Sequence, residues 1–282
     1  MAGVANVPIV AGLLASPLAS EMLGPRRRIL MTSCRITTSR AAFVFALAMT
    51  AASAAAQDPP RIDFVGRDVG ALEDGSIGFG IRAINNKGVI VGYAMTPGYF
   101  VVPLMWTPTA GFAKFLGDLE GNATDINDRG EVVGLFGPPG GWQGFHWTAD
   151  RGFTNLGSFL PERINEHGDM VGRCVGAQPN IGRACVRRDG VVRPLTPPGP
   201  FGQGTGINNR GEVVGYLGTP ETGRFESFFW SPKTGMTPLA GEGFANYAVD
   251  VNDRGVVIGN RCDPIPGEED VECAWHAVRW TR

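Results

Sequence analysis

Along most of the chain the apolar residues come in short Val- and Ile-rich runs broken by Asn, Asp and Gly. Ile126 to Gly134, INDRGEVVG, is typical: two apolar pieces flank a polar turn that ends in Gly. Such runs predict short strands joined by tight hairpins, not helices. The same phrase recurs as AINNKGVIVG from Ala83, DINDRGEVVG from Asp125, RINEHGDMVG from Arg163, GINNRGEVVG from Gly206 and DVNDRGVVIG from Asp250. Its asparagines, Asn85, Asn127, Asn165, Asn208 and Asn252, are 42, 38, 43 and 44 residues apart, which marks a repeat architecture. In each copy Ile-Asn ends one strand, the polar turn places Gly in the left-handed conformation, and Val-Val-Gly begins the return strand.

A second phrase follows each turn: MWTPTAG at Trp106, HWTADRG at Trp147, FWSPKTG at Trp230 and RWTR at Trp280. In the third copy Cys185 stands where the Trp is expected. A short segment with Leu or Gly comes next, as in KFLGDL from Lys114 and TNLGSF from Thr154. Each unit therefore predicts four antiparallel strands, which matches one blade of a β-propeller. The segment Asp68 to Leu72 reads as a fourth strand with no first three before it, and AWHAVRW reads as a third strand with no fourth after it. The expected fold is thus an all-β, five-bladed propeller of four-stranded blades, closed by pairing the N-terminal strand with the last blade.

These units resemble the extracellular HAF-repeat proteins, built on a similar INxxGxVVG turn and a following Phe/Trp strand. The resemblance covers roughly residues 64–282. It implies secretion and a repeat fold, and no established reaction.

The first 56 residues break the pattern. Met31 to Arg40 carries two arginines, Ala41 to Ala52 is apolar, and small residues follow up to Ala56. That order predicts a signal peptide over 31–56, and the apolar run is short for a membrane span. A retained N-terminal anchor is the rival reading. Residues 1–30 then read as a mis-assigned upstream extension, and 57–282 as one repeat domain. The expected location is secreted or periplasmic.

Composition supports the β reading. Gly at 41 and Pro at 21 residues suit many tight turns, while 43% hydrophobic and 18% charged residues mark a globular chain. Residues 1–56 hold five Arg and one Glu, so 57–282 hold 20 basic and 26 acidic residues, a net charge of −6. With no basic stripe, nucleic acid and anionic membranes are not expected partners. Without Cys34, four cysteines remain, and Cys174–Cys185 and Cys262–Cys273 are both eleven apart. Each pair falls on neighbouring strands of one unit, which predicts two disulfides; zinc is the alternative, without a CxxC spacing to support it.

Candidate chemistry is sparse. The turn at Asp125 matches an EF-hand loop at three positions but offers Arg129 and Phe136 where oxygen ligands are needed, so no metal is expected. There is no GxSxG elbow, His146, His167 and His276 fall at different places in their units, and no cofactor motif is present. Function is expected on the variable loops opposite the Asn-Gly turns, where Tyr99, Phe100, Trp142, Phe201 and Phe244 lie. The resulting reading is a monomeric binding module for a glycan or protein ligand. The runner-up is a carbohydrate-active hydrolase using carboxylates beside the innermost strands, with Asp125, Asp250 and Glu162 as candidates near Arg163.

Overall fold

The computed structural model describes residues 66, 68–70, 72, 75–138, 141–176, 182–197, 201–219, 224–241, 245–265 and 273–282. The expected signal segment 31–56 and the extension 1–30 lie outside them. Each of the first four repeats is a four-stranded antiparallel meander. The first sheet holds β1 (Gly78–Ile84), β2 (Ile90–Met95), β3 (Val101–Thr107) and β4 (Gly111–Ala113). The second holds β5 (Gly121–Ile126), β6 (Val132–Phe136), β7 (Gln143–Thr148) and β8 (Gly152–Gly157). The third holds β9 (Phe159–Ile164), β10 (Met170–Val175), β11 (Gly182–Arg188) and β12 (Val191–Pro194). The fourth repeat comprises β13 (Phe201–Ile207), β14 (Val213–Thr219), β15 (Arg224–Ser231) and β16 (Gly235–Pro238). The fifth contributes β17 (Ala245–Val251), β18 (Val257–Pro264) and β19 (Cys273–Trp280), joined to the fourth by a parallel contact of Phe225 with Ala245.

The Asn-Gly turn builds each repeat. Gly130 sits at φ 81° and donates its N–H to Asn127 O at 3.0 Å, while Asn127 Oδ1 accepts from the N–H of Arg129 and of Glu131 at 3.1 and 3.0 Å. The side chain thus does the turn's hydrogen bonding, which explains why Asn recurs there. The glycine that closes Val-Val-Gly has a different cause. A Cβ on Gly134 would lie 2.1 Å from Asn122 O and 2.5 Å from the Phe145 ring, so only Gly lets the strands approach.

The two valines of that phrase point opposite ways, as alternation in a strand demands. Val132 packs with Val91, Ala123, Ile126 and Phe145 between the first and second repeats; Val133 packs with Phe159, Ile164 and Met170 between the second and third. The fourth and fifth repeats meet likewise through Val214, Ala248, Val251 and Val257. The core is therefore a series of layers between successive sheets, each closed by two rails of hydrogen bonds along the turns. In one rail the Nδ2 of Asn85, Asn127, Asn165 and Asn208 donates to the backbone O of the next repeat's Asn at 3.1, 3.0, 3.0 and 2.9 Å. In the other, the backbone N–H of Asn86, Asp128, Glu166 and Asn209 donates to the side chain of Asp128, Glu166, Asn209 and Asp253 respectively.

The expected closed ring of five blades is not found. The three four-stranded sheets do not close, and the seven-stranded sheet that unites the fourth and fifth repeats curves as half a barrel. The described residues of the segment, Asp68–Gly70 and Leu72, do not pair with β19. Val69 O accepts from Trp106 Nε1 at 3.1 Å and Leu72 packs beside Leu104, so these residues lie on the first repeat, without a ladder to β19. The disulfides do form: Cys174–Cys185 ties β10 to β11 and Cys262–Cys273 ties β18 to β19, with Cα–Cα distances of 5.8 and 5.1 Å. Among the described residues no helix is long and apolar enough to cross a membrane.

Candidate functional site

Between the first and second repeats Phe115, four residues after Gly111, stands edge-on to Trp147 at 5.2 Å and tilts against Phe145 at 6.4 Å. At the matching place between the fourth and fifth repeats, four residues after Gly235, stands the smaller Leu239. A cavity of ≈ 750 Å³ opens there, with Phe229, Leu239 and Trp280 among its apolar walls and Arg210, Glu212, Lys233 and Arg282 among its charged ones. It lies beside the turns Pro232–Thr234 and Gly255, on the edge that carries the repeated turns.

The electrostatics of this cavity favour anions. Glu212 is 8% exposed and takes hydrogen bonds from Asn208 Nδ2 at 2.8 Å, Arg210 Nη2 at 2.7 Å and Arg282 Nη2 at 2.8 Å. Burial pulls its carboxyl upward, but Arg282, Asn208 and Arg210 together hold it below the ordinary range, so it is ionised at neutral pH. Among the side chains, one carboxylate between two guanidiniums leaves one positive charge, and the exposed Lys233 adds another with no partner among the described residues. Arg282 also covers the Phe229 ring, 4.6 Å from its centroid. The indole N–H of Trp280 is occupied by Ala240 O at 2.7 Å, leaving its ring as wall.

The carboxylates named from sequence do come together in part. Asp125, Arg163, Asp250, Asp253 and neighbouring turn residues line an open cleft of ≈ 380 Å³. Burial, the largest influence, pushes Asp125 up to about 6, against the hydrogen bond from Ile164 N (2.9 Å) and the charge of Arg163; Asp250 pushes it further up. Asp250 instead accepts from its own neighbour, Val251 N, at 2.8 Å. Glu162 turns to Arg163, 3.5 Å away, and does not line the cleft.

The loop aromatics divide. Tyr99 and Phe100 are exposed at 76% and 59%, on a tight turn where Tyr99 has φ 63°. Trp142 is half-buried before β7, and Phe244 lies outside the described residues. Phe201 is half-buried, 5.3 Å under the Arg173 guanidinium and 6.2 Å from Tyr216. Tyr216 continues to Tyr247 at 5.0 Å, and Tyr247 to Phe225 and Trp275 at 5.1 and 5.8 Å. These rings mostly contact one another, so Trp275, 58% exposed, is the one that presents a large surface. Sequence reasoning missed the cavity. Its local signals are the basic residues at 210, 233 and 282; Leu239 is not distinctive by itself, since Leu156 holds the same place in the second repeat.

No family model matches the chain, and no curated protein does. Among solved structures it is similar to Porphyromonas gingivalis dipeptidyl peptidase 4, with TM-score 0.42 and 11% identity over 60% of this chain and 27% of that one. It is also similar to an arginine-to-alanine triple mutant of AofleA from Arthrobotrys oligospora, with TM-score 0.44 and 10% identity over 74% of this chain and 71% of that one. The chain spans about a quarter of the peptidase's length, and at these scores neither likeness bears on what it binds.

Proposed function

We propose that the chain is a non-catalytic binding module that seats an acidic glycan in the cavity between its fourth and fifth repeats. The supporting observation is the pairing of an apolar wall, Phe229, Leu239 and Trp280, with a net positive charge from Arg210, Lys233 and Arg282 around one buried carboxylate. A sugar ring offers an apolar face to such a wall, and a uronate carboxyl matches a guanidinium in charge and shape. The cavity holds no free acid and base pair, because Glu212 is saturated by three donors. Export of the chain, suggested by residues 31–56, would place it where such glycans occur.

Titration calorimetry with oligogalacturonate and with its methyl ester tests this reading. The acid is expected to bind and the ester, which has the same rings without charge, is expected to bind at least tenfold more weakly. Leu239→Phe should abolish binding while leaving the melting temperature within about 2 °C, since Phe115 already fills the equivalent place. Lys233→Glu should weaken binding about tenfold, and release of reducing ends should stay at background. Equal binding of acid and ester, or undiminished binding by Leu239→Phe, would sink the proposal; turnover would favour the hydrolase.

A further inference from the structure

The repeats stack by one rule, and the rule leaves two unmatched ends. The apolar residue before each turn's Asn is buried against the preceding repeat: Ile126, Ile164, Ile207 and Val251 are 5%, 6%, 8% and 3% exposed. Ile84, the same position in the first repeat, is 65% exposed. The second apolar residue of Val-Val-Gly is buried against the following repeat: Val91, Val133, Val171 and Val214 are all at 0%. Ile258, the same position in the fifth repeat, is 51% exposed. One end of the array thus presents a front face with no back to meet, and the other a back face with no front.

The rails tell the same story with direction. Both run from donor in one repeat to acceptor in the next, so the fifth repeat ends in donors and the first begins with acceptors. Among the described residues Asn252 Nδ2 and the backbone N–H of Asp253 have no acceptor; their counterparts Asn208 Nδ2 and Asn209 N bond Asn252 O and Asp253 Oδ1. At the other end, Asn85 O and Asn86 Oδ1 hold the positions that accept in every later step. Strand pairing adds a third match. β19 has β18 on one side and, among the described residues, no fourth strand on the other, where β15 has β16. Asp68–Gly70 and Leu72 lie on the first repeat as a preceding fourth strand would. Val69 O accepts from Trp106 as Ala240 O does from Trp280, and Gly70 and Gly117 share positive φ, 96° and 63°.

We propose that a second copy of this chain docks its first repeat, with its Asp68–Leu72 segment, onto the fifth repeat of the first copy. Ile84 and Ile81 of one copy cover Ile258 of the other. Asn252 and Asp253 continue both rails into Asn85 and Asn86, and Asp68–Leu72 takes the open side of β19. Every surface used is a copy of one that already forms four times within the chain, so the partner is the chain itself. The contact is head to tail, and each added copy leaves one front and one back free, so assemblies lengthen with concentration. On this proposal the chain is a self-associating unit, where sequence alone predicts a monomer.

Sedimentation of the full chain tests this. The wild type should show a weight-average mass that rises with concentration above the 30.0 kDa of one copy. Ile84→Asp, which spoils every front, and Ile258→Asp, which spoils every back, should each sediment as single copies. Mixed, they should form a 1:1 complex that stops at two, because one supplies a sound back and the other a sound front. That complex also shows that both variants are folded. A wild type that stays monomeric at all concentrations overturns the proposal, as does a mixture that does not associate. A monomer whose Asp253 backbone N–H, the free donor of the second rail, resists hydrogen exchange as Asn209 N does shows the two ends meeting within one chain and overturns it equally.

Discussion

Replacing Asn165 by Ala is expected to destabilise the fold by about 3–4 kcal/mol. The side chain is 4% exposed and makes three bonds: Oδ1 accepts from His167 N and Asp169 N at 3.0 and 2.9 Å, and Nδ2 donates to Asn208 O at 3.0 Å. Each net bond contributes about 1 kcal/mol, and leaving its buried partners unpaired costs more. For a domain of this size the loss corresponds to a fall of roughly 10 °C in melting temperature. Asn252 makes the same two bonds within its turn, to Arg254 N and Val256 N, but in an exposed setting and without the bond to a following repeat. Asn252→Ala should therefore cost about 1 kcal/mol or less. Thermal melts of both variants decide the matter: equal losses would show that the turn alone accounts for the Asn and that the rail between repeats contributes little.

The contrast between those two asparagines also shows what the sequence could reveal. The turn and the opposite-facing valines were legible because they depend on neighbours a few residues away: Asn127 bonds Arg129 and Glu131, and Val132 and Val133 alternate along one strand. The disulfides were legible for a related reason, since Cys174 and Cys185 lie on consecutive paired strands. Closure was not. Asp68–Leu72 has the local marks of a fourth strand, but nothing in its own residues says whether a third strand lies beside it, and its described residues touch Trp106 without pairing β19. Nor was the cavity legible. Arg282 reaches Glu212 across 70 residues of sequence, and the difference between Leu239 and Phe115 gains meaning only once both face a Trp across a repeat boundary. Phe201, read as a loop aromatic, is the first residue of β13 and meets Tyr216 diagonally across the paired strand β14.

Asp125 carries the second large effect, and its sign runs opposite to that of most carboxylates. Burial holds the folded carboxyl at about 6, above the ordinary 3.8, so between these values the folded chain binds a proton that the unfolded chain has released. The proton count is higher in the native state, and stability from this group falls as pH rises from about 4 to about 6. It is fully present below pH 4 and fully lost above pH 6. A shift of two units corresponds to about 3 kcal/mol, and the partial exposure of the side chain brings the expected figure nearer 1–2 kcal/mol. Asp125→Asn keeps an oxygen to accept from Ile164 N and removes the ionisation. The variant should thus match the wild type at pH 4 and exceed it by about 1–2 kcal/mol at pH 8, read from urea unfolding at both values. Taking the difference between the two proteins cancels the titration of every other carboxylate. If Arg163 outweighs burial, the carboxylate is stabilising, the variant is weaker at pH 8, and the proposed burial effect is wrong. If the difference is flat with pH, Asp125 is solvated and the cleft it lines is merely polar surface. The expected outcome has a consequence for the hydrolase reading: a carboxyl that is half protonated at pH 6 and tied to a backbone N–H positions Ile164, and its loss should leave glycan binding unchanged in the Trp280 cavity, which Asp125 does not line.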